Sequence, residues 1–225
     1  MKKSNSRPKT VRYVILWGGT GQAKVLRPII EYYGSKIIAI FDYTPNLTPP
    51  FKDIPLYHDS KFPEWLKKQK NKKEIGFCVA IGRPSQTRLK IYTMLKDAGL
   101  TPVSVIHPNT IIAKNAEIGE GVQMMAGAII QPEAIIGKAC IINTRASIDH
   151  ECILGDGVVI APGAVLCGSV KVKNNAWVAA GATVLPWLTI GENVVVGAGA
   201  VVTKNVPNNM TVVGVPAKPI KRKTK

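Results

Sequence analysis

The stretch INTRASIDHECILGDGVVIAPGAV, residues 142–165, repeats one pattern every six residues: an aliphatic side chain followed four places later by a small one. The pattern runs without an insertion from residue 112 to residue 206, and its second position is occupied mainly by Ala, Val and Cys. The aliphatic positions are Ile112, Ile118, Met124, Ile130, Ile136, Ile142, Ile148, Leu154, Ile160, Leu166, Val172, Val178, Val184, Ile190, Val196 and Val202.

A six-residue period is the signature of a parallel β-helix, in which stacked coils place each residue beside the same position of the next coil. With three hexads per coil, the repeat predicts a triangular prism of about five coils whose aliphatic side chains point inward. Small side chains fill the space behind them, which explains why only 6% of the residues are aromatic. Cys140 and Cys152 occupy small positions and are therefore predicted to be structural.

The first half of the chain has the order of a nucleotide-binding βαβ unit. An apolar run over 11–17 leads into the turn Gly18-Gly19-Thr20-Gly21, followed by a helical pattern over 25–33 and a strand over 36–41 that ends at Asp42. Glycines let such a turn approach a diphosphate, and a helix N-terminus favours its negative charge. Lys24 replaces the third glycine of the fingerprint, so a purely structural turn is the alternative interpretation.

A third strand is predicted over 75–81, a helix over 86–98 and a strand over 101–106, and the lysine-rich run 61–73 predicts a solvated helix. Because parallel strands present their carboxyl ends at one edge, a single nucleotide site is expected from Gly19, Thr20, Gly21, Asp42, Gly82 and Arg83. The predicted organisation is a basic tail (1–10), a Rossmann-like α/β domain with a short parallel sheet (11–106), a β-helix domain (107–217) and a second basic tail (218–225).

The net charge of +16 suggests nucleic acid as a partner, but its distribution argues against it. Residues 111–217 carry −1, whereas residues 1–110 carry +12 and residues 218–225 carry +5. Solvated tails, or an anionic small-molecule substrate, account for this excess. No apolar run approaches the ~20 residues of a membrane span. The absence of a signal peptide and of metal-type cysteine spacing leads us to expect a cytoplasmic protein without a metal.

His150 is the strongest catalytic candidate among the three histidines. It lies two places after Ile148, at a position that faces away from the prism interior, and Asp149 and Glu151 flank it. A neutral imidazole accepts a proton at physiological pH, and a carboxylate on its other nitrogen fixes the tautomer. A surface histidine without a catalytic role is the alternative.

The motifs GGTGQAKV (18–25), AIGRPSQTRLKIY (80–92) and INTRASIDHEC (142–152), together with the repeat and the ending VGVPAK (213–218), resemble one group of hexapeptide-repeat acyltransferases. This group contains the sialic-acid O-acetyltransferases and the bacillosamine-pathway N-acetyltransferases of nucleotide sugars. The resemblance covers about residues 11–218 and implies a left-handed β-helix and a homotrimer with active sites between adjacent prisms. It also implies acetyl-CoA as acyl donor and a nucleotide sugar, UDP-linked, as acceptor.

The same resemblance implies roles for single residues. It places Asn143 near the acceptor and Gly168 at the oxyanion, and it favours Glu151 over Asp149 as the carboxylate that orients His150. The residues alone leave that last choice open.

Column spacing adds an argument about the donor. Residues eighteen apart stack at about 4.8 Å, so Gly168 lies one coil from His150 and Lys204 lies three coils away, roughly 14 Å. A pantetheine arm spans that distance, and we therefore expect Lys204 to meet phosphates of coenzyme A. The other residues expected to bind the coenzyme are Ala180, Gly181, Gly197 and Lys218. Cys167 is interpreted as a bystander, because direct attack on the thioester needs no acyl-enzyme.

The expected function is acetyl-CoA-dependent N-acetylation of a nucleotide-linked amino sugar, a 4-amino-4,6-dideoxyhexose, for bacterial surface glycan or glycoprotein synthesis. O-acetylation of sialic acid or a related sugar by the same residues is one alternative, and a non-catalytic trimeric nucleotide-binding scaffold is another. Gln22 and Val159 stand where relatives often carry histidine, which leaves the identity of the acceptor open.

Overall fold

The computed structural model describes residues 11–82 and 86–220. The chain forms two compact units, one that includes residues 11–82 and 87–105 and one that includes residues 106–220. The predicted tail 1–10, residues 221–225 of the second tail, and Arg83 lie outside the described residues.

The N-terminal unit contains a five-stranded parallel sheet in the order β3-β2-β1-β4-β5. Strands β1, β2 and β4 are nearly continuous apolar runs and are almost entirely buried, as parallel strands usually are. The elements are β1 (Tyr13–Trp17), α1 (Gly21–Tyr32), β2 (Lys36–Asp42), β3 (Leu56–His58), α2 (Phe62–Lys67), β4 (Ile75–Val79), α3 (Gln86–Asp97) and β5 (Thr101–Pro102), with short 3-10 turns at Asp59–Lys61 and Lys72–Glu74.

The lysine-rich run is helical over only part of its predicted length. Helix α2 ends at Lys67, because the following residues, 68–73, offer no apolar side chain to bury. The helix is held at its start, where Phe62 is buried and its ring contacts Trp17 and Phe41 edge-on.

The C-terminal unit is a prism of three sheets whose strands are parallel except for the last pair, β23–β24, and the prediction of a β-helix is confirmed. Each of its strands is two residues long, apart from the closing hairpin β23–β24. The strands are β6 (Val105–Ile106), β7 (Ile111–Ile112), β8 (Glu117–Ile118), β9 (Gln123–Met124), β10 (Ile129–Ile130), β11 (Ile135–Ile136), β12 (Ile141–Ile142), β13 (Ser147–Ile148), β14 (Ile153–Leu154), β15 (Val159–Ile160), β16 (Val165–Leu166), β17 (Lys171–Val172), β18 (Trp177–Val178), β19 (Thr183–Val184), β20 (Thr189–Ile190), β21 (Val195–Val196), β22 (Val201–Val202), β23 (Thr211–Val213) and β24 (Lys218–Ile220).

The register between coils is eighteen residues. Ile130 pairs with Ile148, and Ile148 pairs with Leu166, so aliphatic side chains stack in columns inside the prism. All three are buried, as are the small residues at the fourth position after each of them. The predicted columns of aliphatic and small residues therefore form the core.

The predicted strand over residues 101–106 is wrong as a single element. Its first part, β5, pairs with β4 in the N-terminal sheet, whereas β6 is the end strand of a sheet of the prism. The reason lies in the repeat, because Ile106 stands six residues before Ile112 and already belongs to the hexad series. At the other end the register shortens to sixteen residues after Val202, which still pairs with Val184: Val206 forms a bridge with Ile190, and Val195 pairs with Thr211.

Turns between the sheets form three edges of the prism. The first edge consists of residues 113–116, 131–134, 149–152, 167–170, 185–188 and 203–205, which follow β7, β10, β13, β16, β19 and β22. The second edge consists of residues 119–122, 137–140, 155–158, 173–176 and 191–194. The third edge consists of residues 125–128, 143–146, 161–164, 179–182 and 197–200.

Replacing Ile148 by alanine tests the core, because its side chain is fully buried between two aliphatic neighbours of its column. We expect the substitution to lower the free energy of unfolding by about 2–5 kcal/mol in chemical denaturation. Ser147→Ala, one residue earlier on the outward face of the same strand, is the matched control and should change it by less than about 1 kcal/mol. Equal effects of the two substitutions would contradict the assignment of inward and outward positions.

Candidate active site

His150 lies on the first edge with its imidazole held by a carboxylate. Its Nδ1 is 3.1 Å from Glu151 Oε2, and the two side chains are 55% and 56% exposed. Because an ionised carboxylate only accepts hydrogen bonds, this contact puts the proton of a neutral ring on Nδ1. The lone pair of this tautomer is then on Nε2, the ring nitrogen nearer to Gly168.

The two acidic neighbours of His150 have different tasks. Asp149 Oδ1 accepts a hydrogen bond of 2.8 Å from the backbone N–H of His150 and so fixes the turn. Glu151 contacts the ring itself. The structure thus pairs the ring with the carboxylate that the resemblance favours over Asp149.

Ser169, which the sequence pattern did not single out, holds Glu151 from the next coil. Its hydroxyl donates a hydrogen bond of 3.2 Å to Glu151 Oε2, the same oxygen that faces the imidazole. The eighteen-residue register could have predicted this contact, since Ser169 follows Glu151 by eighteen positions. His150, Glu151 and Ser169 therefore form one connected polar group across two coils.

Gly168 lies directly beside the imidazole. A Cβ atom at this position would lie 2.5 Å from His150 Cε1 and 2.6 Å from Nε2, so only glycine leaves room for the ring. Two backbone hydrogen bonds fix the Gly168–Ser169 peptide. The backbone N–H of Ser169 donates to His150 O, and the backbone N–H of Trp187 donates to Gly168 O. Among the described residues no acceptor takes the Gly168 N–H, which stays free for a ligand.

The predicted coenzyme-binding residues lie on different edges. Lys204 is on the first edge, in the column of His150 and Gly168, and is exposed. Asn143 and the predicted coenzyme residues Ala180, Gly181 and Gly197 are on the third edge, and Lys218 begins β24. A single prism therefore does not bring the two groups together.

Asn143 is half-buried, and its side-chain oxygen accepts a hydrogen bond of 2.8 Å from the Thr144 N–H. Its predicted role beside the acceptor stays a prediction.

Comparisons with known proteins agree with this architecture. The model of the bacterial transferase hexapeptide family (six repeats) matches residues 133–168 and 169–204. A histidine-to-asparagine variant of perosamine N-acetyltransferase from Caulobacter crescentus, solved in complex with CoA and GDP-perosamine, is 35% identical with a TM-score of 0.85. The match covers 92% of this chain and 96% of that one.

The chain belongs to the hexapeptide-repeat sugar acetyltransferases. As a member of that family it is an acyltransferase, and the left-handed β-helix predicted for it is confirmed. The acetyltransferase domain of PglB from Neisseria gonorrhoeae, solved with acetyl coenzyme A, is 28% identical with a TM-score of 0.82 over 93% of this chain and 100% of that one. WeeI from Acinetobacter baumannii is 28% identical with a TM-score of 0.77 over 92% and 99%. A search of the curated proteins finds no match.

Cys167 is the cysteine of this acetyltransferase that lies next to Gly168, and it is half-buried. Burial and the charge of Asp149 raise the pKa of its thiol, so the thiolate needed for nucleophilic attack is disfavoured at neutral pH. Burial raises the pKa of Cys152 to about 11, and its thiol donates to Cys167 O. Both cysteines thus lack the environment of an activated nucleophile.

In the N-terminal unit the glycine-rich turn is closed by Asp42. The buried carboxylate accepts hydrogen bonds from Gly19 N–H, at 2.7 Å, and from Thr44 N–H, at 2.9 Å. A side chain at Gly18 would collide with Ala80 O at 2.5 Å, and a φ of 114° also favours glycine, so packing and backbone conformation both account for this residue. The Gly19 N–H and both Asp42 oxygens are therefore already engaged within the protein.

Thr20 and Gly21 differ from Gly19, because both are exposed at the start of α1. The Thr20 side chain makes no capping hydrogen bond at this helix end, and no acidic side chain of the first turn offsets the positive end of the helix dipole. Gly82 is also exposed and lies opposite the side chain of Gln22. The structure thus brings Thr20, Gly21 and Gly82 to one edge of the sheet as expected, and their contact with a nucleotide stays a prediction.

The described residues hold neither a metal-type cluster nor a helix suited to a membrane. Across residues 11–82 and 86–220, no three or more His, Cys, Asp and Glu side chains are grouped so that they could hold a metal ion. No helix in the same part of the chain is long and apolar enough to cross a membrane.

Gly168→Ala tests the contact between the glycine and the imidazole. The added methyl group would displace the ring, and we expect kcat of the acetyltransferase to fall by roughly 10²-fold while the fold is retained, because an exposed ring can turn away. Cys167→Ala, the adjacent residue, is the matched control and should keep kcat within about twofold. Wild-type kcat in Gly168→Ala, or a large loss in Cys167→Ala, would contradict this geometry.

Proposed function

We propose that the protein transfers the acetyl group of acetyl-CoA to the amino group of a nucleotide-linked amino sugar, with His150 as general base. The observation that carries the proposal is the contact of the imidazole with Glu151 on one side and Gly168 on the other. Support also comes from the relative that is 35% identical and whose structure contains CoA and GDP-perosamine.

The proposed reaction is a direct transfer in one active site. The amino nitrogen of the sugar attacks the thioester carbon while His150 Nε2 takes a proton from it, and Glu151 stabilises the resulting imidazolium. The Gly168 N–H donates a hydrogen bond to the developing oxyanion. When the carbon–sulfur bond breaks, the imidazolium returns its proton to the leaving thiolate, which gives the amide and free CoA.

Acyl transfer through an enzyme thiol is the competing route. Cys152 follows Glu151 and Cys167 precedes Gly168, and the raised pKa of each thiol argues against a thiolate. The proposed route therefore needs no covalent intermediate.

The proposed site for acetyl-CoA extends from Gly168 along the first edge toward Lys204, whose ammonium group would meet the phosphates. Ala180, Gly181 and Gly197 lie on the third edge, a whole sheet away. One coenzyme molecule contacts both edges only if they belong to neighbouring copies of the chain. This separation supports a homotrimer with active sites between prisms, and the outward-facing Ile153 supplies exposed apolar surface for it.

The proposed acceptor is a 4-amino-4,6-dideoxyhexose bound through its nucleotide by the N-terminal unit, where Thr20, Gly21 and Gly82 are exposed. An uncapped helix N-terminus favours a diphosphate. UDP is the nucleotide predicted from the sequence, whereas the sugar in the relative from Caulobacter crescentus is linked to GDP. Lys218 is the remaining cation proposed for the donor phosphates.

His150→Gln tests the base, because glutamine keeps a polar side chain of similar size but cannot take the proton. With acetyl-CoA and a panel of UDP-, GDP- and dTDP-linked 4-amino-4,6-dideoxyhexoses, we expect wild-type protein to release CoA thiol. The variant should lose roughly 10²-fold or more in kcat. Unchanged binding of acetyl-CoA to the variant shows that the loss lies in the chemical step.

Free sialic acid in the same panel separates the two acceptor classes. Thiol release with free sialic acid alone would replace the proposal by O-acetylation, and no release with any acceptor would favour a scaffold without catalysis. Full activity of His150→Gln would overturn the role of the histidine.

A further inference from the structure

Trp187 is an exposed aromatic residue in a backbone conformation that tryptophan rarely adopts. It lies in the turn between β19 and β20 with φ of 59°, and 79% of its surface is exposed. In the part of the chain that the structure describes, its ring stacks on no other aromatic ring. Leu185, in the same turn, is 39% exposed. Neither burial nor ring stacking within the chain accounts for the indole.

The residues at the corresponding position of other turns show which residue types occupy this backbone conformation. On the third edge, glycine occupies this left-handed position in four of five coils. On the first edge, side chains occupy it at Glu133, Glu151, Ser169 and Trp187. Because left-handed backbone favours glycine, a bulky side chain at such a position is a strain that folding does not require.

The first-edge column is the catalytic one. Glu151 orients the imidazole, Ser169 donates to Glu151, and Trp187 follows Ser169 in the next coil. The backbone N–H of Trp187 donates a hydrogen bond of 3.1 Å to Gly168 O. This bond fixes the backbone of Trp187 to the peptide beside the proposed oxyanion site. The turn that holds Trp187 lies between the coil of Gly168 and the coil of Lys204, so the proposed site for acetyl-CoA along the first edge passes it.

That geometry decides what can occupy the surface of Trp187. The acyl donor must reach Gly168 in every cycle, and in the proposed site it lies along this turn. We propose that the Trp187 indole packs against the thioester end of the pantetheine arm of acetyl-CoA, with Leu185 beside it. This inference rests on the proposed function. The ring would cover methylene and amide groups of the arm and keep water from the thioester, so Trp187 is a binding and positioning residue for the donor.

Steady-state kinetics with acetyl-CoA and with the acceptor test this role. For Trp187→Gly we expect the KM for acetyl-CoA to rise roughly 10-fold, with the KM for the acceptor unchanged, because a truncated aromatic anchor loses its contact with one ligand only. Trp187→Phe keeps a ring and should stay within about threefold of wild type. Asn175→Gly, at a left-handed turn of the second edge, is the control for placing glycine in such a turn and should leave both KM values unchanged.

Two further readouts make the outcomes distinct. Titration with CoA should change the intrinsic fluorescence of wild-type protein, and Trp187→Gly should lose most of that change. An unchanged KM for acetyl-CoA in Trp187→Gly would overturn the inference. Dissociation of the oligomer of this variant, measured by sedimentation, would also overturn it, because the ring would then belong to a contact between copies. If wild-type protein neither binds nor turns over acetyl-CoA, the proposed function fails first and the inference with it.

Discussion

Backbone hydrogen bonds between successive coils hold each residue of the β-helix beside the residue eighteen positions further along the chain. The bond of 3.0 Å from Asp149 N–H to Leu166 O is one rung of this ladder, and its neighbours repeat it on all three sheets. The contacts between coils on the first edge follow from that register. It sets Gly168 beside His150 and Ser169 beside Glu151, so an inserted residue in either coil would separate both pairs.

The same constraint explains how a small polar site is kept rigid on an exposed turn. Behind the turn, Ile148 and Leu166 are fully buried and locked by their columns. In front of it, the imidazole has a carboxylate on one side and a glycine peptide on the other. The rigid interior thus positions groups that are themselves accessible to substrates, which is what a site acting on two large substrates requires.

The net charge is distributed unevenly between the two halves of the chain. Residues 111–217 carry a net charge of −1, whereas the first 110 residues carry +12. The proposed substrates, a nucleotide sugar and acetyl-CoA, are polyanions that a positive field attracts over distances near the Debye length. Lys204 places a cation at the far end of the His150 column.

Sequence alone predicts the β-helix and the column that contains His150 and Gly168, because both depend on a strict period. The same eighteen-residue period places Ser169 beside Glu151. It does not reveal the division of labour between Asp149 and Glu151, since that depends on side-chain rotamers. The bounds of short elements are also not predicted by the repeat. The helix at Phe62–Lys67 ends where no apolar side chain follows, and the spacing of the lysines does not show this end.

The tautomer of His150 is the most direct test of the central claim, that Glu151 holds the proton on Nδ1 and leaves Nε2 as the base. The chain has only three histidines, so ¹⁵N NMR of histidine-labelled protein, with His150→Gln for assignment, can resolve this ring. At a pH where the ring is neutral, we predict a protonated Nδ1 and an unprotonated Nε2. A proton on Nε2 in the neutral ring would contradict the account.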